Sequence, residues 1–208
     1  MTPRGKFITL EGIEGVGKST HCAFIAATLR ELGHSVVTTR EPGGTALGEA
    51  IRDLLLDNSR PTMAALSELL LIFAARAEHL ARVIEPALRA GEWVLSDRFT
   101  DATYAYQGGG RALAVSSIQA LEALVQQNLQ PDLTLLLDAP VTLALGRARA
   151  RAQADRFESE RAEFFERVRH AYLELAQAQP SRFRIIDAAP ALAQVQNGIR
   201  QVLRREFA

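Results

Sequence analysis

The residues best equipped for chemistry lie between Gly12 and Ser19, where Gly12-Ile13-Glu14-Gly15-Val16-Gly17-Lys18-Ser19 fits the pattern G-x-x-x-x-G-K-[ST]. Such a loop binds anionic oxygens through its N–H groups and the positive end of the helix that follows. Lys18 would reach β- and γ-phosphates, and Ser19 would offer its hydroxyl to Mg²⁺. Asp97-Arg98 sets an acid able to hold the ion, or a water on it, beside a guanidinium able to fork onto a phosphate. Asp138 is a second candidate for the metal, and Asp97 is favoured because Arg98 stands next to it. Arg147 and Arg151 share a helix face at i,i+4, where like charges repel unless an anion or nearby acids balance them; a triphosphate is such an anion. Arg76, set among Phe73, Ala74, Ala75 and Ala77, calls for a buried partner or a ligand. Thr103, Tyr104, Tyr106 and Gln107 before a run of glycines read as a pocket wall with a flexible rim. No nucleophile is backed by a base, and phosphoryl transfer needs none, because it relies on positioning and charge neutralisation. The pattern describes a kinase of a small anionic acceptor, with an Arg-rich lid at about 146–158 that keeps water from the transferred group.

The elements that must position these groups are legible in the apolar spacing. Lys6 to Glu11 reads as a strand running into the loop, and Ser19 to Leu32 as the helix after it, stopped by Gly33. Further strands are expected at Ser35–Thr39, Trp93–Ser96, Leu133–Asp138 and Phe183–Asp187. Helices are expected at 46–57, capped by Thr45, and at 64–90, with a bend at Glu85-Pro86. Others are expected at 115–129 and 163–178, with a last one at the carboxyl end. Five strands alternating with helices make an α/β fold, a parallel sheet with helices on both faces and ligands at the strand carboxyl ends. Arg40-Glu41-Pro42-Gly43-Gly44 is a loop at such an end.

Composition excludes several classes. At 208 residues, 48% hydrophobic and 23% charged, the chain suits one domain comprising residues 1–208 with a small lid. Its net charge of zero gives no field that would steer it to nucleic acid or an acidic membrane surface. No apolar run is long enough to span a membrane, and Met1 to Gly5 holds no signal core, so the expected location is cytoplasmic. Cys22 stands alone, which excludes an internal disulfide, and the four histidines show no metal-ligand spacing.

The ordered set Phe7 to Gly12, Gly17 to Thr20, Arg40 to Thr45, Ala74-Ala75-Arg76, Asp97-Arg98-Phe99, Ala105 to Gly108, Pro131 to Thr134 and Asp155-Arg156 resembles bacterial thymidylate kinase over nearly the whole chain. The resemblance implies a P-loop NTPase fold with sheet order 2-3-1-4-5, a homodimer, and ATP- and Mg²⁺-dependent conversion of dTMP to dTDP. It implies that Gly12 through Thr20 and Arg147 face ATP, that Arg98 holds the dTMP phosphate, and that Arg76, Gln107 and Thr103 meet the thymine edge. Tyr106 would crowd the 2′ position, Glu14 would approach the acceptor sugar and phosphate, and Glu41 would lie in the acceptor pocket, with its bond to Pro42 cis in the family pattern. Glu14 and Val16 place no basic residue in the loop, so the resemblance assigns that charge to the lid, with Arg149 and Arg151 as leading candidates. Relatives often carry phenylalanine where this chain has Ile72; either Phe73 stacks on thymine or Ile72 makes an apolar contact. A kinase of another nucleoside monophosphate shares every loop argument and differs only at base-facing residues, whereas a nucleotide-dependent switch gives no reason for a second pocket with Arg98 and Arg76.

Overall fold

The computed structural model describes residues 3–59, 63–150, 156–158 and 160–207. Five parallel strands form one sheet in the order β2-β3-β1-β4-β5: β1 (Phe7–Glu11), β2 (Val36–Arg40), β3 (Trp93–Asp97), β4 (Leu133–Asp138) and β5 (Phe183–Asp187). This is the sheet order implied by the resemblance. β1 is buried along its whole length, as expected of a central parallel strand covered on both faces. Its register places Leu10 opposite Asp97 on β3 and Leu135 on β4, so the residues that follow β1 and β3 emerge at the same edge.

The larger core packs Ile8, Leu10, Leu135 and Leu137 against α1 (Lys18–Glu31), α7 (Val141–Arg149), α8 (Ala162–Ala178) and α9 (Leu192–Phe207). A smaller core joins Phe7, Val94 and Phe99 to the helical stretch that precedes β3. Thr45 caps α2 (Ala46–Leu56) by accepting a hydrogen bond from Gly48 N at 2.9 Å, and Gly33 closes α1 at φ 92°.

The stretch expected as one long helix is three pieces. α3 (Ala65–His79) runs into a π-helical turn at Leu80–Ile84, and α4 (Glu85–Arg89) follows with Pro86 in its first turn. Proline has no N–H and its ring opposes the carbonyl four residues back, so the α ladder shifts before it rather than passing through. A second π-helical turn, Tyr104–Gly110, continues α5 (Thr100–Thr103) and carries the expected pocket wall. α6 (Val115–Gln126) stops short of residue 129 because Gln127 turns to φ 53°.

Candidate active site

The loop after β1 is shaped by glycines at two close approaches. Gly12 has φ 135°, and a Cβ there would lie 2.4 Å from Leu137 O; Gly15 has φ 78°, and its Cβ would lie 1.8 Å from Ala144 O. Only glycine lets the loop nest against β4 and α7. Lys18 folds back over the loop, its Nζ donating to Gly12 O at 2.9 Å and Ile13 O at 2.8 Å. Burial, aided by the charge of Arg98, pulls the Lys18 ammonium down to about 8. Ser19 and Thr20 are exposed in the first turn of α1.

Gly15, Gly17, Lys18 and Ser19 line one end of a cleft of about 350 Å³, which also receives Asp97 from the end of β3. Asp138 does not line it; both of its oxygens accept from Arg169, at 2.7 and 2.8 Å. Of the two candidate acids, the fold therefore brings Asp97 to the cradle.

Arg98 lines this cleft in a left-handed conformation, φ 74°, that non-glycine residues rarely adopt. Three hydrogen bonds hold it there. Its N–H donates to Leu10 O at 3.0 Å, its carbonyl accepts from Ser96 Oγ at 2.7 Å, and the next N–H, of Phe99, donates to Glu11 Oε1 at 2.7 Å. The guanidinium Nη1 donates to Gly12 O at 3.0 Å and to Tyr172 OH at 3.2 Å. Nη2 donates to Glu14 Oε1 at 2.8 Å and to Tyr106 OH at 3.0 Å, and the Tyr106 hydroxyl in turn donates to Glu14 Oε2 at 2.5 Å. Glu14, Arg98 and Tyr106 are thus one unit joining the cradle to the pocket wall. Glu11, fully buried, also accepts from Tyr172 OH at 2.8 Å; burial, reinforced by Asp101, pushes its carboxyl up to about 8.

The other end of the cleft is built around Arg76, which is 1% exposed. Its Nε donates to Glu41 Oε2 at 2.7 Å and its Nη2 to Thr103 Oγ1 at 2.9 Å, while Nη1 is buried with no hydrogen-bond partner among the described residues. Burial would raise the Glu41 carboxyl, but the charge of Arg76 and a 3.0 Å hydrogen bond with His79 Nδ1 outweigh it and bring it below the ordinary glutamate range. His79 Nε2 lies 2.6 Å from Thr39 Oγ1, so the histidine is a core relay that orients Glu41. The Glu41-Pro42 bond is cis.

Two candidate site residues lie away from the cleft lining. Phe73 does not line the cleft: it is 2% exposed, packs with Leu69 and Ile118, and lies with its ring centroid 4.7 Å from the Arg76 guanidinium. The helical turn points Ile72 into the cleft instead and turns Phe73 towards α6. Arg147 is not at the cleft either. Its two Nη atoms donate to Ala188 O at 2.7 Å and Ala189 O at 2.8 Å, carbonyls of the loop after β5 that satisfy the fork a triphosphate was expected to fill. Arg149 is exposed in the last turn of α7, directly after the cleft residue Ala148. Arg151 and Asp155 lie outside the described residues, whereas Phe157 and Glu158 of the same lid line the cleft.

Sequence reasoning missed Arg52, Glu68 and Glu11. Arg52 reaches the cleft from α2 and donates to Pro42 O at 2.9 Å. Glu68 is fully buried behind Gln107, whose Nε2 donates to it at 2.8 Å. The signal for Glu68 was present, since Glu68, Ile72 and Arg76 are spaced at i, i+4 and i+8 on one helix face. Glu11 closes a strand whose interior alone cannot reveal its distant partner Tyr172.

A phosphate cradle at the end of a central strand, in a parallel sheet of order 2-3-1-4-5, with a cationic pocket opening from the neighbouring strand end, defines the P-loop NTPase class. Within that class the sequence matches the family model described as Thymidylate kinase over residues 10–199, and the chain belongs to that family. It is 60% identical to a thymidylate kinase of Pseudomonas entomophila over 199 residues, 96% of this chain and 95% of that protein. It is 56% identical to one from Nitrosospira multiformis over 207 residues, 99% of this chain and all of that protein. The crystal structure of thymidylate kinase from Ehrlichia chaffeensis superposes with a TM-score of 0.79 at 33% identity, covering 99% of this chain and 100% of the other.

Proposed function

We propose that the chain transfers the γ-phosphoryl group of ATP to dTMP, giving dTDP and ADP. The observation that carries this reading is the two-ended cleft: Lys18 and Arg98 supply cations at one end, and the buried Arg76 Nη1, without a hydrogen-bond partner among the described residues, supplies a donor at the other. That separation of functions suits a nucleoside monophosphate, with phosphate towards Arg98 and base towards Arg76.

In this reading Gly12, Ile13, Glu14, Gly15, Val16 and Gly17 cradle the donor phosphates with Lys18, Ser19 and Thr20. The exposed Ser19 hydroxyl and the Asp97 carboxylate, both lining the cleft, form a hard-oxygen donor set suited to Mg²⁺, which keeps several waters and takes few protein ligands. When bound, the ion neutralises charge on the phosphate oxygens. Arg98 exchanges one hydrogen bond of its fork from Glu14 to the acceptor phosphate, while Tyr106 narrows the space beside the sugar. Ile72 supplies the apolar contact to the base; Arg76 and Gln107 face its polar edge, with Glu41 and Thr103 fixing Arg76. Arg149 and Arg151 bring charge to the transferred group from the lid, and lid closure excludes water that would otherwise accept it.

The same proposal includes a homodimer and a cytoplasmic location. Leu66 and Leu70 on α3 and Leu124 on α6 are 55%, 50% and 73% exposed, and α3 packs against α6, which supports an apolar face for a second copy. None of the described helices is long and apolar enough to cross a membrane.

The test is ADP production from Mg-ATP with dTMP, dUMP, UMP, CMP or AMP offered separately, beside a control without acceptor. Rapid turnover with dTMP and slow turnover with the ribonucleotides is the expected result. Hydrolysis that ignores the acceptor would refute the kinase reading, and preference for cytosine or adenine would refute the roles of Arg76 and Gln107.

A further inference from the structure

At its base end the cleft holds two groups of opposite hydrogen-bonding sense. Arg76 Nη1 has no hydrogen-bond partner among the described residues, and a guanidinium only donates. Gln107, 2% exposed, carries both a donor and an acceptor on its amide, so the end it turns to the cleft decides which edge of a base it matches. Glu68 makes that choice. It is 0% exposed and lies behind Gln107, outside the cleft lining, with Gln107 Nε2 donating to its Oε1 at 2.8 Å. Its oxygens also accept from Arg111 Nε at 3.3 Å and Arg156 Nη2 at 2.6 Å. As the ion-pair partner of two guanidinium groups, Glu68 acts only as an acceptor. Turning the Gln107 amide over would set oxygen against oxygen between two buried side chains.

We propose that Glu68 sets the base preference: it pins the Gln107 amide so that an acceptor stands beside the Arg76 donor. This pair complements the N3–H and 4-oxo group of thymine or uracil. Cytosine presents the reverse pattern, a lone pair at N3 and an amino group at C4, and would leave both protein groups facing their own kind. Glu68 is a positioning residue that works through Gln107, and the inference rests on the reading of Arg76 and Gln107 as base-facing groups. The same carboxylate anchors Arg156 of the lid, so the base reader and the lid share one buried support.

The experiment compares kcat/KM for dTMP and dCMP in the wild-type protein, in Glu68→Gln, and in the swap Glu68→Gln/Gln107→Glu, with melting curves to establish folding. In Glu68→Gln the residue behind Gln107 can donate as well as accept, so the amide is free to turn. The dTMP-to-dCMP ratio should fall by about tenfold or more, because the site no longer leaves groups unpaired against the wrong base. The swap keeps the same side-chain atoms and one negative charge near Arg111 and Arg156, and residue 107 again offers only an acceptor; the ratio should recover. A purely structural role would lower both substrates equally in Glu68→Gln and leave the ratio unchanged, which overturns the proposal. A swap protein without preference for dTMP overturns it too, and decides the matter if Glu68→Gln does not fold. Failure of the base-pocket reading itself is seen separately, as equal kcat/KM for dTMP and dCMP in the wild-type protein.

Discussion

Lys18 shows how burial adjusts a single residue to a phosphate site. Its ammonium, lowered from 10.5 to about 8, is protonated below pH 8 and increasingly neutral above it. Binding of donor phosphates requires the charged form. The kcat/KM for ATP, which reports groups of the free enzyme, should therefore bend downward above about pH 8, where an ordinary lysine would keep its charge. A profile flat to pH 10 would contradict this account. Arg98 differs in kind. Its charge needs no tuning, and its positive φ is held by three backbone-directed hydrogen bonds, so the geometry of its fork is what the fold maintains.

At the scale of elements, the cradle depends on how closely the loop approaches α7. Gly15→Ala would drive a Cβ to 1.8 Å from Ala144 O at φ 78°. The loop or the helix must then move, costing about 1–3 kcal/mol of stability together with most nucleotide affinity. Gly198, inside α9, has no atom within 4 Å of its would-be Cβ and no positive φ. Gly198→Ala should stabilise the protein by about 0.5–1 kcal/mol with activity unchanged. Urea titrations of the two variants, alongside equilibrium binding of ATP, check the contrast; equal stability of both would remove the argument for close approach. The π-helical turns belong to the same scale. The one at Tyr104–Gly110 carries Tyr106 and Gln107 to opposite ends of the cleft, one touching Arg98 and the other Glu68.

For the whole molecule, the parallel sheet gathers the ends of β1, β2 and β3 on one edge, and the cleft is the space above them. The chain's net charge of zero offers no long-range repulsion between copies, and the exposed leucines of α3 and α6 offer an apolar face. Light scattering should give the mass of a dimer, and Leu70→Glu should shift it to a monomer by placing a charge in that face. A wild-type monomer at micromolar concentration would exclude the assembly.

The division between what was legible in the chain and what was not follows from the range of the interactions. The cradle, the parallel α/β class, the Thr45 cap and the Gly33 stop rest on contacts a few residues apart, and such contacts leave periodic or punctuated patterns in one dimension. The strand-end acids were legible for the same reason, and Asp97 was favoured on its neighbour Arg98, but the ion pair that occupies Asp138 comes from Arg169, 31 positions away. The sequence could place Phe73 and Ile72 on a helix without deciding which faced the cleft, because one residue is a rotation of about 100° and only packing against Leu69 and Ile118 sets the phase. The partners of Arg147 were not legible because the carbonyls of Ala188 and Ala189 are more than forty residues away. Glu11 with Tyr172, Glu68 with Gln107 and Arg156, and Glu41 with Arg76 and His79 are likewise pairings across the fold. The sequence by itself determined which local chemistry the chain carries. Tertiary structure alone decided which buried carboxylate holds which cation, since those energies depend on burial and on partners that only folding brings together.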